Sequence, residues 1–232
     1  MITETMNFAE IKEELKKDFY ESNVLIKASN RVIANQNKYR RIALKHPERH
    51  LFKEIIIQGK RLNDFYVLPI TRGKSEFKKV GIQILIACPF RTKRGWSVAS
   101  LRGNPLDKSE FNITVYSAHL IHRYEERFCH KESTQFDSKA YLHFLATNDN
   151  VCIREYSSEV YGDQALFAEC AQGVLLGKVQ DGVDYFKTFV TKEMLKGKQI
   201  DNAAEQQTAR EAWQQESMVR EHELVKSYKL SA

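Results

Sequence analysis

Between Ser117 and His130 the chain reads Ser-Ala-His-Leu-Ile-His-Arg-Tyr-Glu-Glu-Arg-Phe-Cys-His, and four of its seven histidines fall between His119 and His143. Set at about 100° per residue on a helical wheel, Leu120, Ile121, Tyr124 and Phe128 share one arc. His119, Arg123, Glu126 and His130 line the opposite arc, flanked by His122 and Arg127. Imidazoles exchange protons near neutral pH, and guanidiniums offset charge that builds on a phosphate. His119, His122, Arg123 and Arg127 therefore suit metal-independent transesterification of RNA, chemistry that needs no cofactor. Two other uses of the face stay open. His122, Glu126 and His130 recur every four residues and could share a cation with Cys129 or His119. Against this, the order lacks the HExxH pattern, and Arg123 and Arg127 oppose a divalent cation; the expectation is no metal. The face could also dock nucleic acid or protein without chemistry, with the arginines clamping phosphates. An ordinary amphipathic helix with an accidental pair of histidines is the reading that invokes no function.

The elements that must position this helix follow from apolar spacing and from turn residues. Phe8, Ile11, Leu15 and Phe19 recur at helical spacing over Asn7 to Tyr20, and a second helical stretch covers Val24 to Leu44, ending before Pro47. The period then changes. Phe52 to Gln58, Asp64 to Thr71, Ile82 to Arg91 and Gly95 to Arg102 are rich in Ile, Val, Leu and aromatics between glycines, so they read as strands. Lys93-Arg94-Gly95 turns one of them onto the next and gathers cations at a hairpin tip. Asn112 to Tyr116 is a short strand entering the His/Arg helix, with Ser117 as N-cap, and a further helix runs from Ser138 to Ala146. Val151 to Thr191 is a β-meander with turns at Gln172-Gly173 and Asp181-Gly182, and a polar helix follows from Asp201. The expected class is α+β, with N-terminal helices, an antiparallel or mixed sheet, a central helix followed by a meander, and a C-terminal helix. The expected organisation is one domain over 1–197 (helical 1–50, basic and β-rich 51–116, helix plus meander 117–191) and a helical extension over 198–232.

Charge divides the chain unevenly. Residues 27–102 hold eighteen Lys/Arg against Glu48, Glu54, Asp64 and Glu76, a net +14, within a chain whose total is +6. Such a segment suits an anionic partner, and nucleic acid fits best. Arg72, Lys74, Arg91, Lys93, Arg94 and Arg102 are the candidate phosphate contacts, and Tyr66 and Trp96 are among the aromatics interleaved with them. No apolar run reaches the length of a membrane span, no secretory leader pattern opens the chain, and four scattered cysteines form no CxxC pair. A cytoplasmic setting without membrane attachment is the expectation. GxGxxG, GxxxxGK[ST] and GxSxG are all absent from the sequence, which leaves nucleotide-binding and serine-hydrolase classes unsupported.

A helix carrying His119 and Arg123, followed by a meander ending in Phe186-Lys187-Thr188-Phe189-Val190-Thr191, resembles the small metal-independent nucleases grouped with barnase, EndoU, colicin D and RelE. The resemblance covers residues 112–192. It implies that His119 is a general acid or base, with His122 as an alternative, that Arg123 binds phosphate, and that Thr188 or Lys187 contributes from a late strand. The function expected is a nucleic-acid-directed protein, a ribonuclease of toxin or mobile-element type acting on RNA. The alternative is a non-catalytic nucleic-acid-binding or adaptor protein that engages a protein partner through its C-terminal helix.

Overall fold

The computed structural model describes residues 1–46, 48–104, 107–129, 140–148, 151–158, 162–195, 201, 203–205 and 207–208. His130, the 131–137 connection and the C-terminal helix beyond 208 lie outside the described residues. Three helices open the chain: α1 (Phe8–Glu21), α2 (Val24–Ala34) and α3 (Gln36–Ala43). Asn7 caps α1 through a reciprocal pair of hydrogen bonds with Glu10. The single helix expected over Val24 to Leu44 is instead two, parted at Asn35, whose backbone leaves helical geometry at φ −102°, ψ 6°.

The strands are β1 (His50–Leu51), β2 (Ile55–Gln58), β3 (Asp64–Thr71), β4 (Gln83–Thr92), β5 (Gly95–Arg102), β6 (Asn112–Tyr116), β7 (Cys152–Ser158), β8 (Gly162–Cys170), β9 (Gly173–Gln180) and β10 (Val183–Thr191). They form one mixed sheet in the order β1-β3-β4-β5-β6-β10-β9-β8-β7, with β2 also on β3. Two antiparallel runs, β1 to β6 and β7 to β10, are joined by the parallel pairing of β6 with β10 (Thr114 with Asp184, Tyr116 with Phe186). The basic β-rich part and the meander thus share one sheet. A short helix, α4 (Lys74–Val80), separates β3 from β4. Its charged sequence carries no apolar period, so the spacing argument passes it by.

Helices cover both faces. Ile11, Leu15 and Phe19 of α1 pack with Val24 of α2 on Phe65, Val67, Ile86, Cys88, Phe90, Ala99, Ile113 and Val115. On the other face, α5 (Ala118–Tyr124) and α6 (Ala140–Thr147) pack through Leu120, Ile121, Tyr124, Leu142, Phe144 and Leu145 on Leu68, Val98, Tyr116, Leu166, Phe186 and Phe189. This sandwiching explains why β3 is an unbroken buried run after Asp64 rather than an alternating one. The β9–β10 turn places Asp181 and Gly182 at φ 54° and 70°, as a two-residue Asp-Gly hairpin requires. The β8–β9 turn is Ala171-Gln172, one residue earlier than the sequence suggests, because Cys170 pairs with Gly173.

Two polar networks tie layers together. The Asp18 carboxylate, fully buried, accepts from Ser22 Oγ (2.8 Å), Asn63 Nδ2 (2.8 Å) and the backbone N–H groups of Arg61 and Asn63, fixing the β2–β3 turn to α1. Tyr124 Oη donates to Gln172 Oε1 (2.8 Å) and lies 2.8 Å from His143 Nδ1, while Asn148 Nδ2 donates to the same Gln172 oxygen. These bonds hold α5 and α6 to the β8–β9 turn.

Candidate functional site: a cationic cleft at one end of the sheet

The β6 strand ends where α5 begins, and one serine makes the junction. Ser117 N–H donates to Phe186 O (3.0 Å), and Ser117 Oγ donates to Lys187 O (2.8 Å) while accepting from Leu120 N–H (3.0 Å). Beside it Ala118 N–H donates to the buried Ser97 Oγ of β5 (3.0 Å). The first turn of α5 is therefore pinned to β10 on one side and to the β4–β5 hairpin on the other, and His119 stands exposed in that turn.

In β10 the register against β9 slips: Phe186 opposes Gly177, whereas Thr188 opposes Leu176, leaving Lys187 as an extra residue. Such a bulge reverses the inward-outward alternation downstream. Phe186 and Phe189, three apart, accordingly both enter the core beneath α5, while Lys187 and Thr188 both open on the opposite side. Gly177 makes this possible, since a Cβ there would strike Tyr185 O and Phe186 Cα.

The result is a cleft of about 530 Å³ in which Ser117, Ala118 and His119, Lys187 and Thr188, and the hairpin residues Arg91, Thr92, Lys93 and Arg94 form adjoining walls. Phe8 and Ile11 of α1, with Tyr185, Phe90 and the segment Thr3, Glu4 and Met6, complete it. Arg91, Lys93, Arg94 and Lys187 are its basic side chains, and Glu4 is the single carboxylate among the described lining residues. Glu4 Oε1 lies 3.9 Å from Arg91 Nε. At the hairpin tip Gly95, at φ 115°, closes the turn, with Thr92 Oγ1 donating to its carbonyl (2.9 Å).

Of the residues that the sequence suggests, His119, Thr188, Arg91, Lys93 and Arg94 meet here, together with Lys187. His122, Arg123 and Arg127 do not, contrary to expectation. His122 Nε2 and Arg123 Nη1 both engage Glu126, at 3.1 and 3.0 Å, on the outer surface of the helix. Arg127 turns away because Glu125–Cys129 is a π-helical turn, which departs from the 100° wheel. Its Nη1 donates to Phe189 O (2.6 Å), and Phe128 stacks on Tyr124. The six basic candidates also split. Pairing of Ile86 with Leu101 and of Ile70 with Gln83 puts Arg72, Lys74 and Arg102 at the end of the sheet away from the tip. Along β5 that is roughly 23 Å from Gly95. Arg72 there is half-buried, with Nη1 3.4 Å from Glu76 Oε1.

Residue type and spacing do not mark Ser97, Tyr185 or Glu4 as members of a site, and they mark Ser117 only as a helix cap. The three-residue spacing of Phe186 and Phe189 inside a strand is the signal that reveals the bulge. Among the described residues no group of three or more His, Cys, Asp or Glu is disposed to hold a metal ion. No described helix is long and apolar enough to cross a membrane. Cys88 and Cys170 are buried thiols, and burial raises the Cys88 pKa well above the usual thiol range. Comparison of the chain with protein-family models, with curated proteins and with solved structures found no match.

Proposed function

We propose that the chain is a metal-independent ribonuclease whose phosphodiester sits in the cationic cleft. One observation carries the reading: a solvent-facing imidazole, His119, stands among Arg91, Lys93, Arg94 and Lys187 with Glu4 as the opposing charge. In this scheme His119 moves the proton between the attacking 2′-hydroxyl or the leaving 5′-oxygen and solvent. Lys187 and the hairpin arginines offset the charge that builds on the phosphate, and Thr188 donates to a phosphate oxygen. The separation of roles follows from the bulge, which supports the cation and the hydroxyl on consecutive residues beside the helix turn that carries the base. The barnase, EndoU, colicin D and RelE likeness, which joins a helix to a late strand, is part of the same proposal.

The test is incubation of purified protein with RNA in excess chelator. Cleavage by wild type that His119→Ala lowers by roughly 10²- to 10⁴-fold supports the reading. The reading falls if wild type yields no product or if His119→Ala cleaves equally well. A second reading, binding without chemistry, is favoured by the same cationic walls. Salt-sensitive RNA binding with no product selects it.

A further inference from the structure

A second cleft, of about 760 Å³, opens on the α5–α6 face of the same hairpin. Its walls include Tyr66, Pro89, Trp96, Ile121 and Tyr141, and it shares Phe90 and Arg91 with the cationic cleft. Arg91 and Trp96 are directly opposed across β4 and β5, so their side chains leave the same face of the sheet. Trp96 is 57% exposed and Leu62, also at the rim, is 63% exposed, an unusual amount of bare apolar surface beside an arginine. The charge pattern differs from that of the first cleft. Here Asp64 and Glu125 stand in the walls against Arg91 and the Met1 amine, and that amine is paired with Glu14. Two carboxylates repel a phosphate but accept hydrogen bonds from the amino groups of a ring, and aromatic side chains stack on such rings with little regard to sequence.

We propose that this cleft seats a nucleobase of a single-stranded RNA whose neighbouring phosphate lies in the cationic cleft, with Trp96 as the stacking platform and Arg91 as the bridge between them. The proposal rests on the reading of the first cleft as a phosphodiester site. The two clefts divide the ligand by chemistry, anion to one and neutral ring to the other, and their shared residues make the division continuous.

The experiment uses full-length protein carrying Trp213→Phe, which leaves Trp96 as the chain's one tryptophan. The probes are a DNA hexamer, which lacks the 2′-hydroxyl and stays intact, and an abasic hexamer with the same phosphates. Quenching of Trp96 by the first and not the second is expected. Trp96→Ala should weaken hexamer binding roughly five- to hundred-fold, Trp96→Phe should restore most of it, and abasic binding should be unchanged. Equal loss for both probes, no loss for either, or no binding of the hexamer at all overturns the proposal. So does occupation of the cleft by an apolar protein segment that the hexamer fails to displace. Failure of the two readings is separable. Quenching without RNA cleavage leaves the stacking site standing and removes the ribonuclease; cleavage that needs His119 but ignores Trp96 does the reverse.

Discussion

Lys187 and Arg123 are both cations near the His119 helix, yet opposite outcomes are expected when each is cut to alanine. Lys187 lines the cationic cleft, so Lys187→Ala should lower RNA cleavage by about 10²- to 10³-fold. Arg123 pairs with Glu126 on an exposed face, so Arg123→Ala should change the rate little, and parallel kinetic assays of the two variants check this. The wheel drawn from sequence groups Leu120, Ile121, Tyr124 and Phe128, which do pack in the core, but does not tell which polar residues of the helix reach the cleft, because the π-helical turn redirects Arg127 and the outer surface claims His122. Two acidic residues of α1 make structural predictions at the same scale. Asp18→Ala should cost about 3 kcal/mol or more in denaturant titrations, because it strands donors from Ser22, Arg61 and Asn63. The Arg61 guanidinium beside the buried Glu14 holds its carboxyl at about 2, below its ordinary value of 4.5. The unfolded chain therefore binds the proton more readily, and this contribution to stability is present in full above pH 4.5 and drains away as pH falls toward 2. Melting temperatures across that window should fall less steeply for Glu14→Gln than for wild type.

The β10 bulge and the start of α5 act as one element, since Ser117 binds the carbonyls of both Phe186 and Lys187. Removing the hydroxyl in Ser117→Ala takes away the N-cap and one tie at once. It should cost about 1 kcal/mol, with a loss of cleavage out of proportion to that small destabilisation. Gly177→Ala attacks the other side of the bulge, where the new methyl meets Tyr185 O. A cost of about 1 to 3 kcal/mol is expected, because backbone must shift to admit it, and urea midpoints measure it. Most strands are legible in the sequence because β-branched and aromatic runs end at glycines: Asp64 to Thr71 and Gly95 to Arg102 match residue for residue. The bulge is harder to see. It breaks the alternation that identifies a strand, and its stability comes from Ser117, seventy residues away. The break in the second helix at Asn35 is likewise silent, because the apolar period continues on either side of it.

Across the molecule, the six candidate phosphate contacts of the +14 segment fall into two groups at opposite ends of the sheet rather than one basic patch. Total charge is readable from sequence, but its placement depends on strand register, which decides that Arg91, Lys93 and Arg94 join His119 while Arg72, Lys74 and Arg102 do not. Neutralising the first three should reduce the dependence of RNA affinity on salt, by about 0.7 in the log–log slope for each phosphate no longer neutralised. Neutralising the second three should leave the slope nearly as it was, and filter binding at several salt concentrations distinguishes the cases. The parallel seam between β6 and β10 has a kinetic consequence. Each antiparallel run can form from neighbouring hairpins, but Tyr116 and Phe186 must close a loop of about seventy residues before the cleft has its second wall. A chain emerging from the ribosome thus gains the cleft only when β10 docks on β6. In refolding experiments, circular dichroism should recover first and catalytic competence later.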